Sequence, residues 1–394
     1  MRPLRFSWGM FYVFLFLYRS MFSVFTELVV MRLTNIGDTR TYQMGSFLPG
    51  YEALLGSPVS VALSGGGMQL STSLTTKFGA ILNKLLFGNP ILIDIGFQAV
   101  TWIGLVYLLN SVDRSIRLRL VLFVMFPSFT IWTSIASKEA IVVACVCILT
   151  GYVIRMYYHT AKLNLFHIAA LLLLGVFKVH YLIAFAYLTA TTALARHVRQ
   201  KALLALIGGL ISLVFLYVFR DRIDFLAVSV QRAFLVVRGS RSTRLEAYFV
   251  DQYDVFLRAP VGMAEAFIGP RFTEILTSPL HIVTFTESML LIAALVFFVI
   301  RRLPSIPIYS FIMGGFTVFW IMFPNYPFGI MNPGSAIRYR TGWMLVVIVV
   351  LSILMSRDLF LSWRDGARVA RRSIADAADK TIANPTAAAD ELGR

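Results

Sequence analysis

Nearly uncharged apolar runs follow one another along this chain, many of them long enough to cross a bilayer, and that feature restricts the fold more than any other. A membrane-spanning helix takes roughly 17–25 mostly apolar residues. Inside a bilayer the backbone must satisfy its own N–H and C=O groups, so such runs fold as helices. Ten runs are read, at residues 10–31, 91–110, 118–135, 139–157, 165–177, 179–195, 202–219, 282–300, 308–323 and 341–355. The fifth is short, and Arg19 and Glu27 interrupt the first. Hydrophobic residues make up 58 % of the chain. A soluble domain holds about 45–50 %. The fold expected is all-α: a polytopic membrane protein of about ten transmembrane helices, with a membrane domain over residues 1–356. The first run reads as a span, being too long for a cleavable signal and lacking a small-residue cleavage site.

The net charge of +16 does not point to nucleic acid. In membrane proteins Lys and Arg gather in cytoplasmic loops and at headgroups. Alternate ends of the runs hold Arg2 and Arg5; Arg114, Arg117 and Arg119; Arg155 and Lys162; Arg196, Arg199 and Lys201; Arg301 and Arg302; and the arginines from Arg357 to Arg372. That side reads as the cytoplasm and holds both termini. The opposite, periplasmic side takes three longer loops, about 32–90, 220–281 and 324–340. The first holds amphipathic stretches around Gly65-Gly-Gly and over 70–87. The second interleaves charges with Phe225, Phe234, Tyr248, Phe249, Tyr253 and Phe256, which predicts a folded, mostly helical region. Residues 357–372 predict a basic amphipathic helix at the inner leaflet, and 373–394 a disordered tail.

Ionisable groups at span ends cost about 2.5–3.5 kcal/mol each on insertion scales, so a partner or a cavity must compensate them. On the outward side these groups converge. Asp38 and Arg40 follow the first run, Lys138 and Glu139 sit between the third and fourth, and Lys178 and His180 between the fifth and sixth. Arg338 and Arg340 precede the last run, in Asn332-Pro-Gly-Ser-Ala-Ile-Arg338-Tyr339-Arg340, which contains no acid. Short outward loops are normally poor in Lys and Arg, so two guanidinium groups there suggest a site for a phosphate. Trp132, Tyr42, Tyr326 and Tyr339 lie near these charges and offer flat faces for stacking.

Each of these has a plainer reading. Lys138 and Lys178 could snorkel to headgroups, Glu139 could face a helix dipole, and Asp38 could close a turn. His180 could be an ordinary hydrogen-bonded residue, and the aromatics an interfacial belt. Arg19 and Glu27, two turns apart, suit inter-helix hydrogen bonding; Asp94 and Glu287 receive no role. Cys145 and Cys147 point to different helix faces and do not bridge. The chain has no HExxH, Walker A motif or outward DxD; Asp251 and Asp254 come nearest to an acidic pair. No cofactor is called for, and dependence on a divalent metal stays open.

Taken together, these segments resemble a known pattern. Asp38, soon after the first span, is similar in place to the catalytic base of type C membrane glycosyltransferases (GT-C). The run Pro127-Ser-Phe-Thr-Ile-Trp132-Thr-Ser-Ile-Ala-Ser-Lys138-Glu139 is similar to a "P…W-S…K-E" segment of bacterial exopolysaccharide and O-antigen polymerase-like membrane proteins. Phe177-Lys178-Val-His180-Tyr181 resembles their Arg-centred turn, with Lys where Arg is more usual, and the stretch at 332–340 resembles their late "N-x-G…R-[YH]-R" element. The resemblance runs from Gly37 to Met355. It implies a glycosyltransferase or polymerase taking a polyprenyl-pyrophosphate-linked sugar, with Asp38, Arg338 and Arg340 catalytic. Arg40, Tyr42, Trp132, Lys138, Glu139, Lys178, His180 and Tyr339 would bind substrate. Partners would be the lipid-linked saccharide, membrane lipids and other polysaccharide-assembly proteins. The rival reading is a transporter or flippase of an anionic or lipid-linked substrate; an anchoring subunit without activity is a third.

Overall fold

Local sequence signals start and stop the helices. Asn89 accepts hydrogen bonds from the Ile91 and Leu92 N–H groups, and Pro90 takes the first helical position, so a helix begins at once. Asn164 and His167 bond reciprocally at the start of another. A computed structural model describes residues 8–33, 38–46, 67–157, 161–195, 197–236, 244, 246–302 and 306–354. Among the described residues all regular structure is helical.

Helix α1 (Trp8–Phe25) runs through a π-helical turn, Thr26–Val30, into Met31–Leu33. Then come α2 (Thr39–Met44), α3 (Gly67–Leu85), α4 (Pro90–Leu109), α5 (Arg114–Val124), α6 (Pro127–Thr133) and α7 (Lys138–Tyr157). Next are α8 (Leu165–Lys178), α9 (Tyr181–Leu194), α10 (Lys201–Val218) and α11 (Arg220–Val236). After these, α12 (Asp254–Leu257), α13 (Ala259–Ile268) and a 3-10 turn, Phe272–Thr277, lead to α14 (Pro279–Arg302). The series ends with α15 (Ile308–Met322), α16 (Tyr326–Gly329) and α17 (Pro333–Leu354).

Six helical segments are long and apolar enough to cross a membrane: Trp8–Val30, Pro90–Leu109, Lys138–Tyr157, Lys201–Val218, Pro279–Phe297 and Pro333–Ile353. The pair α5 and α6 makes a seventh if counted as one span, though it bends by 72°. The bend sits where Pro127 opens α6, because proline cannot continue the hydrogen-bond ladder of the preceding helix. The remaining apolar runs form α8, α9 and α15, of 14, 14 and 15 residues. At 1.5 Å per residue these reach only about 21–23 Å, short of a core of about 30 Å. By helix length, then, the count is six to seven where the sequence reading expects ten.

Helices α7 and α17 form the centre, each with 78 % of its apolar window buried. Against α7 lies α4, so close at Gly104 that a Cβ there would stand 2.6 Å from the Ala144 Cα. Helices α10 and α14 are the outer ones, 11 % and 17 % buried over the same window, and they turn apolar side chains outward. On the expected outward side, α11 to α13 pack around Tyr326, Phe249 and Val255. There Asp254 accepts the Val250 and Asp251 N–H groups, which with the Arg258 guanidinium hold its carboxyl below the usual carboxylate range. Gly37, Gly65, Gly66, the basic segment 357–372 and the tail 373–394 lie outside the described residues.

One boundary corrects the sequence reading. The stretch 332–340 is expected as a loop before a span starting at 341; it is instead the first turns of α17, which begins at Pro333. Asn332 caps it, its side chain accepting the Gly334 and Ser335 N–H groups.

Candidate functional site

Because α17 begins early, Arg338 and Arg340 lie on a helix. Residues two positions apart on a helix point roughly 200° apart. The expected pair of guanidinium groups therefore separates onto two sets of partners.

Arg338 faces α2, α6 and α7. Its Nε stands 2.9 Å from Glu139 Oε2 and its Nη1 3.8 Å from Asp38 Oδ2. The guanidinium carbon lies 5.7 Å from the Trp132 ring centroid and 5.8 Å from that of Tyr339. Asp38 occupies the N-cap position of α2, and Tyr42, one turn on, donates its hydroxyl to Asp38 Oδ2 at 3.2 Å. Glu139 and Lys138 open α7 after a non-helical bend at 134–137. Ser137 supplies the cap, accepting the Ala140 N–H. Lys138 Nζ donates to Thr72 Oγ1 on α3. Lys178, at the end of α8, has its Nζ 4.1 Å from the Tyr339 ring centroid and 5.9 Å from that of Phe328. Lys138 and Lys178 both lie in electrostatic reach of Arg338 and Glu139.

Four segments thus bring together three cations, Lys138, Lys178 and Arg338, and two carboxylates, Asp38 and Glu139, for a net charge of one positive. Glu139 and Arg338 meet as an ion pair without aligned hydrogen bonds; neither Glu139 oxygen nor Arg338 Nε has a hydrogen-bond partner among the described residues. Lys178 forms no ion pair within 4 Å among the described residues; it lies over the aromatic faces, with Glu139 acting on it from farther away. Asp38 and Arg338 keep 24 % and 14 % of their side-chain surface exposed, so the cluster is recessed but reachable. Such a set can accept an anion, gripping it with cations that the fold already holds in place. Among the described residues no group of three or more His, Cys, Asp or Glu gathers at metal-binding distance.

Other expected site residues go elsewhere. Arg340 turns away and is 2 % exposed. Its Nη1 donates to the Phe267 and Ile268 carbonyls at 3.2 and 3.0 Å and to Ser288 Oγ; its Nη2 donates to Ser128 Oγ and the Thr284 carbonyl at 3.2 and 3.4 Å. Glu287 Oε2, 3.7 Å away, is its counter-ion. Arg40 pairs with Glu27 at 2.6 Å and with Gln43 Oε1 at 3.1 Å. His180 bonds Asn325 Oδ1 at 3.0 Å; since the Asn325 amide N–H donates to the Ile321 carbonyl, the oxygen faces His180 and Nε2 is the donor. That leaves His180 as a strut for the turn before α16. Tyr42 and Tyr326 are fully buried, so neither presents a face to a sugar, whereas Tyr339 is half-buried.

Several residues with no part in the sequence reading hold this arrangement. Glu287 accepts the Ser128 N–H at 3.0 Å and pairs with Arg340. Arg244 makes a two-pronged pair with Glu274 at 2.9 and 2.7 Å and donates to the Gly269 and Ile330 carbonyls. Asp94 accepts the Ala136 N–H at 2.8 Å and a Gln43 amide N–H at 3.0 Å. Lone acids in apolar runs, as Asp94 and Glu287 are, carry the signal that a buried charge needs partners; which partners is a matter of tertiary packing. Arg19, a lone cation in α1, likewise donates to the Thr133 carbonyl and hydroxyl at 2.8 and 2.7 Å. An apolar cleft of about 470 Å³ between α13, α14 and α15 contains none of the cluster residues. Comparison with family models, with curated proteins and with solved structures gives no match.

Proposed function

We propose that this chain is a membrane-embedded glycosyltransferase or polysaccharide polymerase, working at the periplasmic face of a bacterial inner membrane on a polyprenyl-pyrophosphate-linked sugar. The observation that carries this reading is the recessed cluster of Asp38, Lys138, Glu139, Lys178 and Arg338, with one more cation than acid and aromatic faces beside it. An acceptor hydroxyl would attack the anomeric carbon of the donor sugar. The bond from that carbon to the pyrophosphate oxygen breaks, and the electron pair leaves with the pyrophosphate. Lys178, Lys138 and Arg338 hold the charge that develops there. Asp38 takes the hydroxyl proton. Tyr339, half-buried, borders the sugar, while Trp132 is buried behind Arg338. Arg340 and His180 are given structural work instead.

In this reading both termini are cytoplasmic, and α8, α9 and α15 complete ten crossings, the bilayer thinning or flanking groups snorkelling around the shorter helices. The test is the glycan made by a deletion strain. Loss of long chains with single repeat units retained is the expected result and assigns polymerisation; unchanged surface polysaccharide overturns the proposal. One feature favours the transporter reading: the sharp bend between α5 and α6 and the break between α8 and α9 are the discontinuous helices typical of transporters. Proteoliposomes that move a lipid-linked sugar across the bilayer without extending it would establish that reading instead.

A further inference from the structure

Asp94 lies one turn into α4, fully buried, on a run otherwise almost free of charge. A buried carboxylate in such a run is retained where it has specific partners. Both of its hydrogen bonds end on one oxygen, Oδ1. One donor is the Ala136 N–H, in the bend that delivers Lys138 and Glu139. The other is the Gln43 side chain on α2, the short helix that begins directly after Asp38. Gln43 is itself fixed from three directions, by Glu27 and Arg40 through its amide and by Asn83 through its carbonyl. The bend is held at its other edge by Ser23, whose hydroxyl donates to the Ser134 carbonyl at 2.6 Å. Between these supports, a single oxygen joins the two segments whose carboxylates both lie within 4 Å of the Arg338 guanidinium.

We propose that Asp94 is a positioning residue: through Oδ1, held between α2 and the 134–137 bend, it sets the spacing of Asp38 and Glu139 around Arg338. The inference rests on reading that cluster as the reacting site. Asp94 touches no substrate. It acts through Gln43 and Ala136, and its second oxygen, buried without a hydrogen-bond partner among the described residues, is not needed for the tie. The tie therefore survives replacement by asparagine, which keeps an acceptor at Oδ1, and fails with leucine, which keeps the bulk and no acceptor.

Hydrogen exchange on the purified full chain tests the tie without reference to activity. Asp94→Leu is expected to speed exchange at least tenfold in two places together, Thr39–Met44 and 134–139, with α17 unchanged. Asp94→Asn should keep wild-type protection in both, and Gln43→Leu should release Thr39–Met44 alone. Release of one segment only in Asp94→Leu, equal release in Asp94→Asn, or loosening that includes α17 would each overturn the proposal. Product formation provides the second arm. If Asp94 works through Asp38, kcat should fall in Asp94→Leu while KM for the lipid-linked donor changes less than threefold. Combining it with Asp38→Asn should then add little to the loss from Asp38→Asn alone. Coupled exchange with unaltered turnover would leave the tie standing and remove the cluster from the chemistry, so the two ideas fail separately.

Discussion

Arg338 and Arg340 are two residues apart on one helix and have opposite surroundings. The terminal nitrogens of Arg340 reach five protein acceptors, with Glu287 as counter-ion and almost no exposure. Nearby, Arg244 repeats the pattern with Glu274. Together the two arginines occupy three consecutive carbonyls, those of Phe267, Ile268 and Gly269, at a turn where Gly269 has φ +92°. A side chain there would be strained, and its Cβ would approach Arg340 Nη1 to 3.4 Å. This is a closed network, which ties the loop after α13 to α14 and α17. Around Arg338 the polar groups meet by proximity, hydrogen-bond capacity is left over, and Lys178 stands beside them on aromatic faces. A satisfied buried network rigidifies, whereas one with spare capacity is where a ligand adds bonds. The same residue type, two positions apart, is a clamp in one case and a candidate ligand-binding group in the other.

The sharpest way to break this contrast is Arg340→Met. Removing one partner of a buried ion pair costs about 3–5 kcal/mol, because the other charge is left uncompensated. Folded yield and thermal stability in detergent should fall steeply, with Glu287→Gln milder. A stable Arg340→Met protein would show that the network is not a clamp.

Asp38→Asn carries the next largest effect, and it falls on turnover. Asparagine keeps the size and an acceptor for Tyr42 but cannot take a proton. Product formation by the purified protein is expected to drop roughly 10²–10⁴-fold, the range for a lost general base. Thermal stability should hold. Near-normal product at normal stability would reduce Asp38 to an acceptor for Tyr42.

Arg338→Lys then sharpens the comparison on the open side. The substitution keeps the charge and loses the planar fork, so phosphate contact weakens while pairing with Glu139 and Asp38 persists in part. About 10²-fold lower product formation is expected, within the range for one lost charge-stabilising donor, with stability close to wild type. Should stability collapse as in Arg340→Met, both arginines would be clamps.

What was legible before the structure divides along the same line. Apolar periodicity and the cost of charge in lipid point to a helical membrane fold, and the outward ends of four segments point to Asp38, Arg40, Lys138, Glu139, Lys178, His180, Arg338 and Arg340, of which the structure gathers Asp38, Lys138, Glu139, Lys178 and Arg338. Arg340 was misplaced for a local reason. Asn332-Pro-Gly reads as a turn, yet it is the cap and first turn of α17, so one apparent pair of arginines became two opposite faces. Tyr326 illustrates a different limit: an aromatic beside a span end looks interfacial, but its burial follows from Val255 and Phe249, brought in by distant helices. Glu274, Glu287 and Asp94 were illegible for the same reason. Their partners lie 30, 53 and 42 residues away, at Arg244, Arg340 and Ala136, and no pattern within one helix encodes them.

The smallest expected effect belongs to Lys178, and it separates the two halves of the open cluster. Arg338 already faces two carboxylates, so part of its charge is spent before any ligand arrives. Lys178 is different: its ammonium lies over Tyr339 and near Phe328, with Glu139 acting on it only from beyond ion-pair distance. A cation–π contact is worth about 0.5–2 kcal/mol, less than a charge-assisted phosphate bond, so the group is free to exchange one for the other. Lys178→Met fills the same space without charge. KM for the pyrophosphate-linked donor should rise roughly tenfold, equal to about 1.4 kcal/mol of lost binding, with kcat changed less and stability equal or better. If instead kcat falls and KM holds, Lys178 stabilises the departing pyrophosphate rather than the bound donor. If neither moves, the unpaired cation belongs to the membrane surface, and the open side of the comparison shrinks to Arg338 and its two acids.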